Sequence, residues 1–293
     1  MKILVYGKRA GENDRPYIAE TIQVLQDIGA EIAFDSLLFN ALIDLGLDVR
    51  DSVSIGDHES LTAFHPDLVI TMGGDGTILR AVTMVRDSGY PILGINLGRL
   101  GFLASIEKAT IKETLYNIDQ GKFSIQERGL LRLDCNLPLF NDTPFALNDF
   151  TITKRDNSSM IIIKAYMNGS LLNAYWADGI IMATPTGSTG YSLSCGGPII
   201  FPDARGFVIT PIAPHNLNVR PIVIPDNAEI TFQVEGRAEN FMCTLDSRFE
   251  TITSDHIIKI RKNDFNVRLV QQEGHEFMGT IRQKLLWGLD MRN

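Results

Sequence analysis

Apolar and polar positions follow two different rhythms, and the change falls near residue 123. Before it, short apolar runs alternate with segments of helical spacing. Residues 2–7 (KILVYG) predict a buried strand. Residues 16–28 place Ile18, Ile22, Leu25 and Ile28 on one helical face, with Pro16 opening the helix and Gly29 closing it. Residues 31–35 predict a second strand, 36–45 a short helix and 67–72 (DLVITM) another buried strand. After a glycine-rich break, residues 77–86 carry Ile78, Ala81, Val82 and Val85 on one face. Residues 91–97 predict a strand and 111–120 a short helix. Strands alternating with helices imply βαβ units and a mainly parallel sheet.

Beyond residue 123 the helical period fades. Residues 145–154, 159–167, 171–183, 228–234, 241–245, 256–261 and 266–270 read as strands. Asn168-Gly169, Asp178-Gly179, Pro225-Asp226 and Glu235-Gly236 supply turn signals between them. This predicts an all-β domain, sandwich-like, of two packed sheets. Residues 280–288 regain helical character. The expected organisation is an α/β domain of residues 1–123 with a helical tail, 275–293, packing back on it, and a β-rich domain of residues 124–274.

Composition narrows the function classes. The chain has 293 residues, 44% apolar and 21% charged, which is ordinary globular usage and suits two domains. Its net charge of −8 argues against a general nucleic-acid binder, which needs a surplus of Lys and Arg to neutralise phosphates. A phosphorylated small molecule would have to be held by local donors and a metal ion. Cys135, Cys195 and Cys243 lie too far apart for a C-x-x-C pair, so no zinc knuckle or redox dithiol is suggested. No apolar run approaches the roughly 18 residues of a membrane span. The first residues lack the apolar region of a secretory signal. These features predict a soluble cytoplasmic protein with no membrane partner.

Two segments carry candidate chemistry. Gly73-Gly74-Asp75-Gly76-Thr77 stands between a buried strand and a helix, at the carboxyl end of a strand, where open α/β sheets bind ligands. Its glycines permit a sharp turn and close approach, and N–H groups opening the helix would face an anion. A carboxylate there suits taking a proton from a hydroxyl or holding a metal ion. The same residues are also ordinary turn chemistry. The third glycine of a dinucleotide fingerprint and the Lys of a P-loop are missing. The second segment, residues 184–198 (TPTGSTGYSLSCGGP), carries no charge, many hydroxyls, four glycines and one aromatic ring, Tyr191. It suits a nucleotide, or is a Ser/Gly-rich loop with no ligand.

Weaker signals lie nearby. Asn148-Asp149 interrupts a β-like run and suits sugar hydroxyls or a bulge. Asp178-Gly179 reads as a hairpin turn. Residues 209–221 are proline-rich and irregular, with a lone His215. Arg80, five residues beyond Asp75, suits a phosphate or a solvated helix face. Signatures of zinc proteases, α/β-hydrolases and protein kinases do not occur.

These motifs, in this order, together with Thr210-Pro211-Ile212-Ala213-Pro214-His215 and Arg220-Pro221, resemble the NAD kinase family over most of the chain. GGDGT is shared with lipid kinases and phosphofructokinases; residues 184–198 are the specific feature. The resemblance implies transfer of the ATP γ-phosphoryl group to the adenosine-ribose 2′-hydroxyl of NAD, giving NADP. It further implies an α/β domain followed by a β-sandwich, a cleft site, and a homodimer or homotetramer whose neighbouring subunit completes that site. Asp75 matches the catalytic base, with Gly74 and Gly76 close to the dinucleotide and Arg80 in contact with it. Asn148 and Asp149 match a pair near the adenosine, and Asp178 matches an acidic residue facing the nicotinamide riboside. Thr189, Gly190, Tyr191, Ser192, Leu193 and Ser194 match the segment on the adenine. A divalent ion, magnesium, would offset the phosphate charge, although no metal-ligating residues stand out in the chain.

Three positions depart from the family. Asp149 stands where many relatives have Glu. Asp246-Ser247-Arg248 replaces Asp-Gly-Gln, so Arg248 brings a charge to a ligand contact usually made by an amide, which bears on the choice between NAD and NADH. Trp176 is bulky for a ligand-facing position and reads equally as a strand residue. Two rival functions share the motifs: a non-catalytic dinucleotide sensor on the same fold, and a lipid kinase. The second would need a membrane-docking segment, and the sequence has none.

Overall fold

The computed structural model describes residues 1–7, 11–98, 101–155, 160–274 and 276–287. The chain forms two compact units, Met1–Glu127 with Val267–Asn293, and Arg128–Asn266. The sequence pattern had set the divisions at 123/124 and 274/275. They fall instead inside two long strands, Phe123–Cys135 and Ile257–Gln272, which run on through Gly129 and Asn266 without a break.

In the first unit the elements run β1 (Lys2–Tyr6), α1 (Arg15–Asp27), β2 (Glu31–Asp35), α2 (Ser36–Asp44), β3 (Val53–Ile55), α3 (His58–Phe64), β4 (Leu68–Met72), α4 (Asp75–Val85), β5 (Ile92–Asn96), β6 (Ile106–Glu107) and α5 (Ile111–Asp119). The sheet is parallel, in the order β3-β2-β1-β4-β5, with β6 beside β5. Ile3, Leu4, Val5, Val69, Ile70, Leu93 and Ile95 are fully buried, as a sheet covered on both faces requires. Asp35 ends β2 and caps α2 by accepting the N–H groups of Leu37 and Leu38. β3 and α3 were not foreseen, since three residues and two buried apolar positions give too short a pattern. The strand order reverses between β1 and β4, so the carboxyl ends of those two strands form the switch point of the sheet.

The second unit continues with β7 (Phe123–Cys135), β8 (Phe145–Ala146), β9 (Asp149–Lys154), β10 (Ile161–Met167), β11 (Ser170–Ala177), β12 (Gly179–Ala183), α6 (Tyr191–Ser194), β13 (Gly206–Ile212), β14 (Ile222–Pro225), β15 (Ile230–Glu235), β16 (Phe241–Leu245), β17 (Arg248–Ile252) and β18 (Ile257–Gln272). One antiparallel sheet runs β14-β13-β12-β9-β16-β17; the other contains β11-β10-β15 and the first part of β18. Phe150, Ile152, Ile180, Met182, Phe207 and Ile209 from the first meet Ile161, Ile163, Ile230, Phe232 and Ile258 from the second in one core. This is the expected sandwich. The last part of β18 returns to the parallel sheet, with Leu269 opposite Ile92, and α7 (Phe277–Leu285) buries Thr280 and Ile281 within the first unit. The helical tail thus packs where the sequence placed it; Gly288, the end of the predicted segment, lies outside the described residues.

Asp178-Gly179 is not a hairpin. β11 pairs with β10 in one sheet, whereas β12 pairs with β9 and β13 in the other, so Asp178 marks the corner where the chain changes sheets. Glycine follows because a Cβ at Gly179 would lie 2.4 Å from the Ile152 carbonyl oxygen.

Phe232 is fully buried with its ring centroid 5.4 Å from that of Phe150. Phe232→Ala is expected to lower the unfolding free energy by about 3–5 kcal/mol in urea titrations.

Candidate active site

Asp75 is the first residue of α4, two residues earlier than the sequence pattern starts that helix. It follows β4 directly, at the switch point. Gly73 turns the chain with φ +152°, and a Cβ there would lie 2.3 Å from Thr77 Oγ1, so only glycine fits. The Asp75 carboxylate accepts three successive backbone N–H groups. Phe102 donates to Oδ2 at 2.8 Å, and Leu103 and Ala104 donate to Oδ1 at 3.1 and 3.0 Å. A Cβ at Gly101 would lie 1.8 Å from Asp75 Oδ1, so this approach also demands glycine. A carboxylate offers about four acceptor directions. Among the described residues one is left, on Oδ2.

Gly74 and Gly76 have no protein atom within 4 Å of a built Cβ. Neither left-handed backbone nor crowding within the described residues explains glycine there. Arg80 points along α4 toward Thr77 Oγ1, 3.4 Å away, and faces Tyr6 and Asp35. Its Nε is buried with no hydrogen-bond partner among the described residues. Burial raises the Tyr6 phenol and the Asp35 carboxyl above their ordinary values, and Arg80 opposes both shifts.

In the second unit Asp246 repeats the arrangement of Asp75. It opens the two-residue loop between β16 and β17 with φ +53°, a conformation that Asp tolerates. Its carboxylate accepts from the N–H of Leu147 at 3.0 Å, Asn148 at 2.7 Å and Asp149 at 3.2 Å. The Asp246 N–H donates in return to the Asp149 carbonyl at 2.9 Å. Asn148-Asp149, at the entry to β9, is therefore held by a residue nearly a hundred positions away.

That arrangement sorts two neighbouring carboxyls. Asp246 takes all three backbone donors, while Asp149 is 8% exposed and accepts no hydrogen bond among the described residues. Desolvation, and then the nearby Asp246 charge, push the Asp149 carboxyl up to about 7. Burial also raises Asp246, against the pull of its three N–H donors and of Arg248. Asn148 Oδ1 is buried and unpartnered among the described residues, so an acceptor and a protonatable carboxyl stand side by side.

Residues 184–198 do not present all their hydroxyls outward. Thr184 Oγ1 donates to the Leu147 carbonyl at 2.6 Å and Ser188 Oγ to the Pro185 carbonyl at 2.6 Å. Ser192 Oγ pairs with Thr210 Oγ1 at 2.8 Å, fully buried. The first two hydroxyls bond backbone carbonyls in and beside a segment that has no ladder of its own. The segment forms a 3₁₀ turn at Gly187–Thr189 and the single helical turn α6, and it reaches Ile200, which covers the outer face of β12 and β13. A Cβ at Gly187 would lie 2.0 Å from the Asn148 carbonyl oxygen, which locks the segment against Asn148. Thr189, Gly190 and Leu193 are half-buried, Ser194 is exposed, and the Tyr191 ring is 45% exposed. Burial and the charges of Asp149 and Asp178 raise the Tyr191 phenol.

The other predicted residues are placed as follows. Asp178 Oδ1 pairs with Lys154 Nζ at 2.7 Å. Trp176 is exposed on β11 and, with Ala174, His215 and Leu217, lines an open pocket of about 730 Å³. The Arg248 guanidinium donates to the carbonyls of Thr143 and Phe145 and lies 5.8 Å from the ring centroids of Phe140 and Phe145. Its donors are engaged by the loop before β8. Sequence reasoning missed the 101–104 segment and Asp246 as an anchor. Glycine at 101 was the one visible signal for the first; the second had none beyond a polar hairpin loop. Among the described residues, no three His, Cys, Asp or Glu side chains are grouped so as to hold a metal ion.

Two family models match the chain: an ATP-NAD kinase N-terminal domain over residues 50–123 and an ATP-NAD kinase C-terminal domain over residues 147–272. The chain is 43% identical to a NAD kinase of Flavobacterium johnsoniae and 44% identical to one of Flavobacterium psychrophilum, each over 100% of both chains. The fold is similar to that of yeast NADH kinase complexed with NADH, with a TM-score of 0.88, 22% identity and coverage of 100% of this chain and 89% of that one. It is also similar to a NAD kinase from Archaeoglobus fulgidus in complex with ATP, with a TM-score of 0.74, 24% identity and coverage of 96% and 99%.

The Asp149 carboxyl is raised from 3.8 to about 7, so the folded protein holds that proton more tightly than the unfolded chain does. Its stabilising contribution is complete below about pH 4 and is lost as the pH rises through about 7. Asp149→Asn removes this loss. Thermal and urea unfolding of both proteins between pH 4 and 8 should show the variant gaining about 3–5 kcal/mol on the wild type toward pH 8.

Proposed function

The chain belongs to the NAD kinase family, and from that premise we propose that Asp75 is the base on the adenosine-ribose 2′-hydroxyl of NAD. The protein is a kinase that phosphorylates NAD with ATP. One observation carries the assignment of Asp75. Its carboxylate sits at the carboxyl end of β4, at the switch point of a parallel sheet, held by three backbone N–H groups with one acceptor direction left on Oδ2.

A ribose hydroxyl is a weak nucleophile at neutral pH. In this reading its proton passes to Asp75 as its oxygen bonds to the γ-phosphorus, the bond from that phosphorus to the β–γ bridging oxygen breaks, and ADP leaves. The backbone donors prevent the carboxylate from rotating away, so its position is set before substrate arrives. Close approach of the dinucleotide accounts for glycine at 74 and 76, and Arg80 Nε, unpartnered among the described residues, suits a phosphate oxygen.

We assign the holding of the dinucleotide in the second unit to Asn148 and Asp149 for the adenosine hydroxyls, and to Asp178 for the nicotinamide riboside end. The stretch Thr189, Gly190, Tyr191, Ser192, Leu193 and Ser194 takes the adenine, with the exposed Tyr191 ring against the base. Ser192 acts through its backbone, since its hydroxyl is bound to Thr210. Arg248 supports the loop before β8. The described carboxylates do not fit a resident magnesium site, and a magnesium ion enters this reading on the ATP phosphates, as part of the substrate. The assembly proposed is a homodimer or homotetramer, supported by Val223 and Phe249, which are exposed on edge strands β14 and β17. The three described cysteines are free thiols, which suits the cytoplasm.

Asp75→Asn keeps the size of the side chain and removes the base. With ATP, magnesium and NAD, and with NADP read by an NADP-specific dehydrogenase, kcat should fall by about 10²–10⁴ while NAD still binds. Wild-type turnover in Asp75→Asn would overturn the role.

A further inference from the structure

The three N–H groups that fix Asp75 come from a segment, Phe102 to Ala104, without helix or ladder hydrogen bonds of its own in the parallel sheet. Leu103 and Ala104 are buried, but the Phe102 ring is partly exposed at the open end of the segment. Over that ring lies the ammonium of Lys284, from the last turn of α7, with Nζ 5.0 Å from the centroid. α7 is anchored in the same unit by buried Thr280 and Ile281, so the lysine reaches out from a fixed helix. A cation over an aromatic face is an attractive contact even when exposed.

We infer that Lys284 is a positioning residue for the transfer reaction: it holds Phe102, and through the Phe102, Leu103 and Ala104 N–H groups it holds the Asp75 carboxylate. The inference rests on Asp75 being the base. Its physical content is a short chain of contacts within one unit, from an exposed ammonium to a ring, from that residue's N–H to Oδ2 at 2.8 Å, and from its two neighbours to Oδ1. Loss of the cation leaves the fold intact, because Lys284 is exposed and alanine is a good helix former. What changes is how often the segment opens and releases the carboxylate.

The test compares wild type, Lys284→Ala, Lys284→Arg and Asp75→Asn in two measurements. Amide hydrogen exchange of Phe102 to Ala104 should quicken about two- to five-fold in Lys284→Ala, the factor an exposed cation–π contact supplies, and return to the wild-type rate in Lys284→Arg. The kcat for NADP formation should fall by a similar factor in Lys284→Ala with KM for NAD unchanged, and Lys284→Arg should restore it. Unchanged exchange in Lys284→Ala overturns the clamp, and quickened exchange with unchanged kcat overturns its positioning role. Full activity in Asp75→Asn would mark failure of the base assignment instead, and the exchange rates would still decide the clamp.

Discussion

Both units are organised around an aspartate that accepts three successive backbone N–H groups, Asp75 from Phe102 to Ala104 and Asp246 from Leu147 to Asp149. Backbone N–H groups away from water must find acceptors, and irregular segments have no ladder to supply them. A single carboxylate with several lone pairs solves this for three residues at once, through charge-assisted bonds. The loops take their shape from the carboxylates. Gly101 shows how tight the fit is, since even a methyl group there would overlap Asp75.

The same device divides labour between neighbouring carboxyls in the sandwich. Asp246 takes three backbone donors and Asp149 none among the described residues, and burial with the nearby Asp246 charge raises the Asp149 carboxyl to about 7. The two share a residue type and a neighbourhood, but the N–H groups of Leu147, Asn148 and Asp149 point at Asp246. Asp246 thus fixes the turn before β9, and the Asp149 carboxyl keeps its acceptors unused among the described residues. The uncharged 184–198 segment divides in a comparable way. Its inward hydroxyls at Thr184 and Ser188 bond backbone carbonyls and that of Ser192 bonds the Thr210 hydroxyl, whereas the Tyr191 ring lies at the surface.

Phosphoryl transfer depends on placing groups more than on covalent help from the protein. A carboxylate held by backbone donors, as Asp75 is, suits that demand, because its position does not depend on flexible side chains. The arrangement also shifts the requirement elsewhere, to whatever keeps the donor segment in place. In the first unit that is the packing of Leu103 and Ala104 beneath and of α7 above.

Much of this was legible in the chain itself. The 3.6-residue and two-residue periods predicted the parallel α/β unit, the β-sandwich and the returning tail, because local burial patterns are written residue by residue. GGDGT, Asn148-Asp149 and residues 184–198 carried the resemblance to the family, and the family models and relatives bear that resemblance out. Tertiary structure decided what depends on distant partners. It turned Asp178-Gly179 from a hairpin into a corner between sheets, because each flanking strand found its partner in a different sheet. It gave Asp75 its donors from 27 to 29 residues away and Asn148-Asp149 an anchor 97 to 98 residues away. It also engaged the Arg248 guanidinium with loop carbonyls. A hydrogen bond needs only one donor and one acceptor and leaves no periodic trace, so such pairings exist only once the chain has folded.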